Sequence, residues 1–468
     1  MRTQFSLAQL ADPHIAEADA ALRACVHCGI CTASCPTYVL LGDERDSPRG
    51  RIVMMQKMLE QGGAPSTETV THIDRCLSCL ACRTVCPSGV DYQRLVDQSR
   101  VHIEKHYRRP LGERLTRWMI AHVLTRPNLT LAALRAARLF APLAFLLPHS
   151  LRAMARRGAT LKSSAVPGEA APGAQASRRI FLLPGCVQQV IAPEIDAAMT
   201  RILARRGISL VPLSGAGCCG ALSHHLGREG EAKAFAKHNI EAFERAGGER
   251  ADGLVISATG CAAHLADYEH LFLDDPDWQD RAGAFSAKHL SVGALLSYHP
   301  LEGRSKFAAA NFGVGSVPEA QRDHPSPNEF ANAHSFDPPS RGGCGEVRVA
   351  YHVPCSQQHG LRQVGDGGVL RAAGFDVVAI PEGHLCCGSA GSYSLLQPEI
   401  AHALRERKLA NIGTVQPDVI ATSNIGCLQH LSGPDAPPVV HLAELLDWAE
   451  GGPTPRPLTP LATPVAAN

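Results

Sequence analysis

Residues Cys25–Pro36 read C-V-H-C-G-I-C-T-A-S-C-P, and Cys76–Pro87 read C-L-S-C-L-A-C-R-T-V-C-P. Each stretch places three cysteines on a tight C-x-x-C-x-x-C loop and a fourth just before a proline. This is the spacing of bacterial two-cluster ferredoxins. Three thiolates on one short loop wrap one iron–sulfur cube. The fourth, pointing away beside the proline, ligates the partner cube. The spacing therefore predicts one [4Fe–4S] cluster on Cys25, Cys28, Cys31 and Cys86, and a second on Cys76, Cys79, Cys82 and Cys35. Structural zinc usually takes two cysteine pairs split by a spacer, which is a different pattern.

Working outward, Asp19–Arg23 reads as a short helical lead into the first loop. Val53–Gln61 reads as a helix stopped by Gly62-Gly63, and Val90–Tyr107 has apolar residues at helical spacing. The cluster region is thus expected to be α-helical, not β-rich. The charged turn from Asp43 to Arg51 reads as packing that holds the two cysteine loops in register. Leu111–Arg157 is Leu/Ala/Arg-rich and interrupted by Pro127, Pro142 and Pro148, so it reads as several short helices that pack against a neighbouring domain or subunit. A Pro/Gly/Ala linker follows.

From Arg179 the pattern changes. Apolar runs at Ile180–Leu183, Ile208–Leu213 and Leu254–Ala258 alternate with helical stretches at Ile195–Arg205 and Arg228–Arg245. That alternation predicts a parallel α/β sheet. Cys186, Cys218, Cys219 and Cys261 follow the three runs, at the sheet edge where ligands bind in open parallel folds. The unit recurs. Val347–Tyr351, Val377–Ile380 and Val419–Thr422 lead to Cys355, to Cys386 and Cys387, and to Cys427. The separations are 169 residues from Cys186 to Cys355, 168 from Cys218 to Cys386 and 166 from Cys261 to Cys427. So constant an offset marks an internal duplication. The eight repeat cysteines are candidates for a further site. His264 and His430 stand three residues after Cys261 and Cys427, at ligand-like spacing, with hydrogen bonding to the site as the alternative role. His224 and His225 lack counterparts in the second copy and read as loop residues. Of the 17 cysteines, Cys344 is left without a role.

The expected organisation is a helical double-cluster domain over 1–110 and a basic helical segment with linker over 111–178. The first Cys-Cys-Gly repeat follows over 179–300, an insertion over 301–345, the second repeat over 346–450 and a disordered tail over 451–468. G-A-G-C-C-G at 215–220 formally matches a dinucleotide fingerprint. The second copy keeps the cysteines but not the glycines, so no nicotinamide site is expected. The net charge of +1 gives no case for nucleic acid. The first twenty residues lack an apolar signal region, and free thiolates suit a reducing cytoplasm. No run of 18 apolar residues predicts a membrane span; the Leu139–Pro148 run is too short.

The order of these motifs resembles the iron–sulfur subunits that accompany flavin dehydrogenases of 2-hydroxy acids, and most closely those of glycolate oxidase. The resemblance rests on C-V-H-C-G-I-C-T-A-S-C-P-T-Y-V-L-L-G-D-E-R-D-S-P-R-G-R-I, on D-R-C-L-S-C-L-A-C-R-T-V-C-P-S-G-V, and on H-V-P-C-S-Q-Q-H-G with C-C-G-S-A-G-S-Y. It implies an oxidoreductase subunit that accepts electrons from FAD on partner subunits oxidising glycolate to glyoxylate. It then passes them to a quinone or another acceptor, in the cytoplasm or peripherally at the inner face of the cell membrane. No residue of this chain is assigned a catalytic role. Lactate or glycerol 3-phosphate is the alternative substrate, and disulfide or quinone reduction by the repeats is the alternative activity. In heterodisulfide-reductase relatives each repeat ends in C-x-x-C; here His264 and His430 stand in the last position.

Overall fold

The computed structural model describes residues 1–139, 178–297, 347–363 and 367–459. Cys344, the Leu139–Pro148 run beyond Leu139, the 301–345 insertion and the extreme tail lie outside the described residues.

Residues 1–110 form helices without a strand among the described residues. The longer ones are Pro13–Ala24, Pro48–Gln61, Thr67–Asp74 and Tyr92–His106. Their starts are encoded locally. Asp12 accepts from the N–H of His14, Ser47 from Gly50 and Ser66 from Thr69, and prolines occupy the first turns at 13 and 48. Pro48–Gln61 begins five residues before the expected Val53, because Ser47-Pro48 is a stronger start signal than the first apolar residue. It ends at Gly62, as expected. Leu22, Met55, Ile73, Leu95 and Ile103 close the core between these helices. The helices also aim the cysteines. Cys25 caps the end of Pro13–Ala24, and Cys35 caps the start of Pro36–Leu41. The basic segment forms Leu111–Met119, a π-helical turn over Ile120–Leu124 and Pro127–Leu139. No helix of the described residues is long and apolar enough to cross a membrane.

The repeats each build a parallel sheet. Strands β1 (Arg178–Leu182), β2 (Ile208–Pro212) and β3 (Gly253–Val255) lie in the order β2-β1-β3. Strands β4 (Arg348–Tyr351), β5 (Asp376–Val378), β6 (Val419–Thr422) and β7 (Val439–His441) lie in the order β5-β4-β6-β7. Phe181 pairs with Leu254, and Ala350 with Ile420, in equivalent registers. Central strands covered on both faces explain the continuous apolar runs.

The duplication extends to side chains. Asp252 accepts from the N–H of Arg179 at 2.7 Å, and Asp418 from that of Arg348 at 2.8 Å. Gln188 Nε2 donates to the Ser257 hydroxyl, and at the matching place Gln357 Oε1 accepts from the Ser423 hydroxyl. A single apolar core, including Ile180, Val255, Val349, Val419 and Leu446, runs between the two sheets.

Four expectations need correction. The tail, read as disordered from 451, instead forms the turn Arg456–Leu458 and packs Leu458 into this core. The third strand stops at Val255 and not Ala258, because the chain turns toward the other repeat, where the Thr259 N–H reaches the Ser423 carbonyl. The Val377–Ile380 run yields only Asp376–Val378. Strand β7 was not anticipated. In the first repeat its place is taken by a lone bridge between Leu254 and His289.

Candidate iron–sulfur and thiol sites

The two cysteine loops share one backbone solution. His27 and Gly29 flank Cys28 with φ of 57° and 83°, and Ser78 and Leu80 flank Cys79 with φ of 51° and 62°. Left-handed backbone costs about 1–2 kcal/mol at each non-glycine position. Strain repeated at matching positions is the kind that functional loops store. The result turns three sulfurs of each loop toward one centre.

Cys25, Cys28, Cys31 and Cys86 line one cavity together with Cys82 of the second loop, walled by Ile52 and Val90. Burial pushes the Cys31 thiol up to about 11, with Cys25, Cys86 and Cys28 adding to the effect. The second loop gathers a different fourth cysteine. Cys82 is pushed well above the usual thiol range by burial first, then by Cys79, Cys76 and Cys35. Cys86 therefore sits with the first loop, and Cys35 with the second.

The donor set fits the iron–sulfur cubes that the spacing predicts. Four thiols gathered at one place need a cationic centre to become thiolates together. In the first quartet Cys25 is buried, Cys31 and Cys86 are half-buried and Cys28 is exposed, and in the second only Cys79 is not fully buried. All of these cysteines are free of disulfides. The second quartet also carries the donors that stabilise charge on sulfur. Arg51, 1% exposed, places Nη1 3.8 Å from Cys35 Sγ and is held by the His72 carbonyl at 2.7 Å and Asp46 at 3.1 Å. The Ser78 N–H and the Tyr92 hydroxyl point at Cys76 Sγ at 3.5 and 3.8 Å. Arg100 clasps the loop through Ser78 Oγ and the Cys76 carbonyl, both at 2.7 Å.

The repeat cysteines form two further quartets. In the first, Cys186, Cys218, Cys219 and Cys261 interact in a chain. Cys218 accepts from both neighbouring thiols and from the Gly220 N–H, so it ionises most readily, while Cys186 and Cys219 are pushed up. Asn239 and the Tyr268 hydroxyl hold the carbonyls of Cys218 and Cys219 at 2.9 and 2.7 Å. In the second, Cys355 Sγ lies 3.7 Å from Cys386 Sγ, and Cys386, Cys387 and Cys427 continue the chain. The second quartet adjoins the cluster domain. After burial, Cys355 is the largest influence raising the Cys79 thiol, and both pack on the apolar group of Leu77, Cys386 and Tyr393.

The two motif histidines differ. His430 Nε2 contacts the Ala401 carbonyl at 3.1 Å, a strut between helices. His264 is buried, held neutral by desolvation first and then by His224 and His225, with Nε2 unpartnered among the described residues. Two features escaped the sequence reading. His352, 2% exposed, has a ligand-competent nitrogen within 4.8 Å of the Cys387 and Cys427 sulfurs. Its place before V-P-C is held by Leu183 in the first repeat, and that asymmetry is the signal that marks it. His224 and His225, read as loop residues, instead belong to the helical turn Ala221–His225, facing Asp97 of the cluster domain.

Comparison with known proteins agrees with this layout. A family of 4Fe-4S dicluster domains matches residues 21–90, and a cysteine-rich domain family matches 180–266 and 349–432. The chain is 36% identical over 450 residues to the glycolate oxidase iron-sulfur subunit of Escherichia coli (strain K12), covering 96% of this chain and 99% of that protein. It is 28% identical over 458 residues to the probable glycolate oxidase iron-sulfur subunit of Bacillus subtilis (strain 168), covering 91% and 94%. Lactate utilization protein A of Shouchella clausii (strain KSM-K16) is 23% identical over 256 residues, covering 54% of this chain and 90% of that protein.

Proposed function

The chain belongs to the family of glycolate oxidase iron–sulfur subunits, and on that premise we propose that it is the electron-transferring subunit of a glycolate-oxidising complex. In this reading, FAD on partner subunits oxidises glycolate to glyoxylate, and the electrons leave to a quinone or another acceptor. Cys25, Cys28, Cys31 and Cys86 hold one [4Fe–4S] cluster, and Cys76, Cys79, Cys82 and Cys35 the other. When bound, such clusters store and release single electrons at potentials set by burial and by hydrogen bonds to sulfur.

The observation that carries the reading is the exchange of fourth cysteines. Cys86 is grouped with the first loop and Cys35 with the second, so the two centres are tied through one short stretch of protein. The chain's own residues then supply tuning, not acid–base chemistry. Arg51 offsets negative charge at Cys35, and Tyr92 and the Ser78 N–H donate toward Cys76. The eight repeat cysteines form a further candidate site, and the nearness of Cys355 to Cys79 favours the second repeat as the onward side.

The likeness to lactate utilization proteins over about half of the chain supports a second reading, in which the complex oxidises lactate. The test is anaerobic reduction of the assembled complex. Glycolate should bleach the visible iron–sulfur absorption, and lactate should not. Bleaching by lactate alone would replace the first reading with the second.

A further inference from the structure

Apart from the cysteine quartets, the structure gathers ligand-forming side chains where the cluster domain meets the first repeat. Asp97 comes from the Tyr92–His106 helix, and His224 and His225 from the turn that follows Cys218-Cys219-Gly220. One ligand-competent atom from each lies within 4.8 Å of the other two. The backbones meet tightly here: a Cβ on Gly227 would stand 2.3 Å from the Arg100 carbonyl. Asp97 therefore cannot drift from the histidines without separating the two domains.

A second observation points to a ligand. Nδ1 of His224 and Nδ1 of His225 are buried without a hydrogen-bond partner among the described residues. Beside them His264, 7% exposed, has an unpartnered Nε2, and its ring centroid lies 4.9 Å from that of His224. Buried nitrogens are normally satisfied, so orphans clustered on one spot need an explanation. Arg100, the nearby cation, is turned toward the cysteine loop through Ser78 and Cys76.

We propose that Asp97, His224 and His225 bind a divalent transition-metal ion of the zinc or ferrous class, which clamps the first repeat's Cys-Cys-Gly turn to the cluster domain. Two imidazoles and one carboxylate are the donor set such ions take, with a position left for a further ligand. His264 lies beside His224 but is not one of the three side chains that converge. The site is separate from all four thiol quartets, and the identity of the 2-hydroxy acid oxidised by the complex does not bear on it.

The test uses the full chain, purified anaerobically with its iron in place, equilibrated with a small excess of zinc and then freed of unbound metal. Bound metals are counted by mass spectrometry, and the zinc-edge X-ray absorption spectrum reads its ligands. The expected result is one zinc per chain with a nitrogen and oxygen shell at about 2.0–2.2 Å. Asp97→Asn and His225→Gln should each weaken zinc binding at least tenfold, leaving iron and acid-labile sulfide unchanged. Absence of stoichiometric zinc in the wild-type chain would overturn the proposal, as would a sulfur shell at about 2.3 Å. Those wild-type readings stand even if a variant fails to fold.

Discussion

Gly220 and Gly388, 168 residues apart, adopt the same left-handed backbone, with φ of 85° and 96°. Each donates its N–H to the first sulfur of its Cys-Cys pair, at 3.4 and 3.5 Å. The two turns are one device used twice, and they differ in room. A Cβ at Gly220 would stand 3.2 Å from the Ala232 carbonyl, whereas one at Gly388 would stand 2.5 Å from that of Ala401.

Alanine at either position should therefore cost about 1–2 kcal/mol from the left-handed backbone alone. Gly388→Ala should cost more, because its Cβ meets backbone that cannot swing aside. Urea unfolding of the two variants checks this order, and equal losses would show that the repeat around Ala401 yields easily.

Arg51 is the buried cation of the second quartet. Its removal leaves Asp46, fully buried, with Arg75 and His72 alone. Arg51→Met should destabilise the protein by about 3–5 kcal/mol, the usual cost of breaking a buried pair on one side. It should also make one of the two clusters harder to reduce. A redox titration followed by EPR should find one midpoint lowered and the other unmoved, whereas equal shifts would place Arg51 between the two centres.

Burial pushes the Asp196 carboxyl up to about 6, against the hydrogen bonds from Ser257 and Gln188 that favour its charge. The folded state thus holds a proton that the unfolded chain releases near 4. Stability from this group is intact below about pH 4, falls as pH rises from there to 6, and stays reduced above. Asp196→Asn should gain about 2–3 kcal/mol at pH 8 and nothing at pH 4. A gain that is the same at both pH values would contradict this origin.

Arg94 grips Asp267 through two bonds of 2.7 and 2.6 Å, tying the cluster domain to the first repeat, and the Tyr393 hydroxyl ties it to the second through the Arg75 carbonyl at 3.0 Å. Arg94→Ala should speed proteolytic release of the cluster region more than Tyr393→Phe does. A charge-assisted pair with one partner removed loses about 3–5 kcal/mol if buried, whereas a neutral hydrogen bond loses about 1. The reverse order under limited proteolysis would make the second repeat the firmer anchor.

How much could be read from the chain depended on how local the determinant was. The two cysteine loops were legible because their short spacings are local, and the helix end at Gln61 because Gly62-Gly63 is a local stop signal. The lead helix, read as Asp19–Arg23, in fact spans Pro13–Ala24. The duplication was legible from three offsets. Strand β7 was not, since three residues between Pro438 and a helix carry too little pattern. His352 was hidden because its partners Cys387 and Cys427 come from later loops. The place of His224 and His225 depends on Asp97, which reaches them only through the docking of two domains.

The central claim is the exchange of fourth ligands, and paired cysteine variants test it most directly. Iron, acid-labile sulfide and the reduced EPR spectrum would be compared for Cys28→Ser/Cys86→Ser and for Cys79→Ser/Cys86→Ser. The account predicts that the first pair damages one cluster, removing about four irons at most, and that the second damages both. If instead the first pair lost both clusters and the second lost one, Cys86 would belong with its own loop, and the exchange would be wrong.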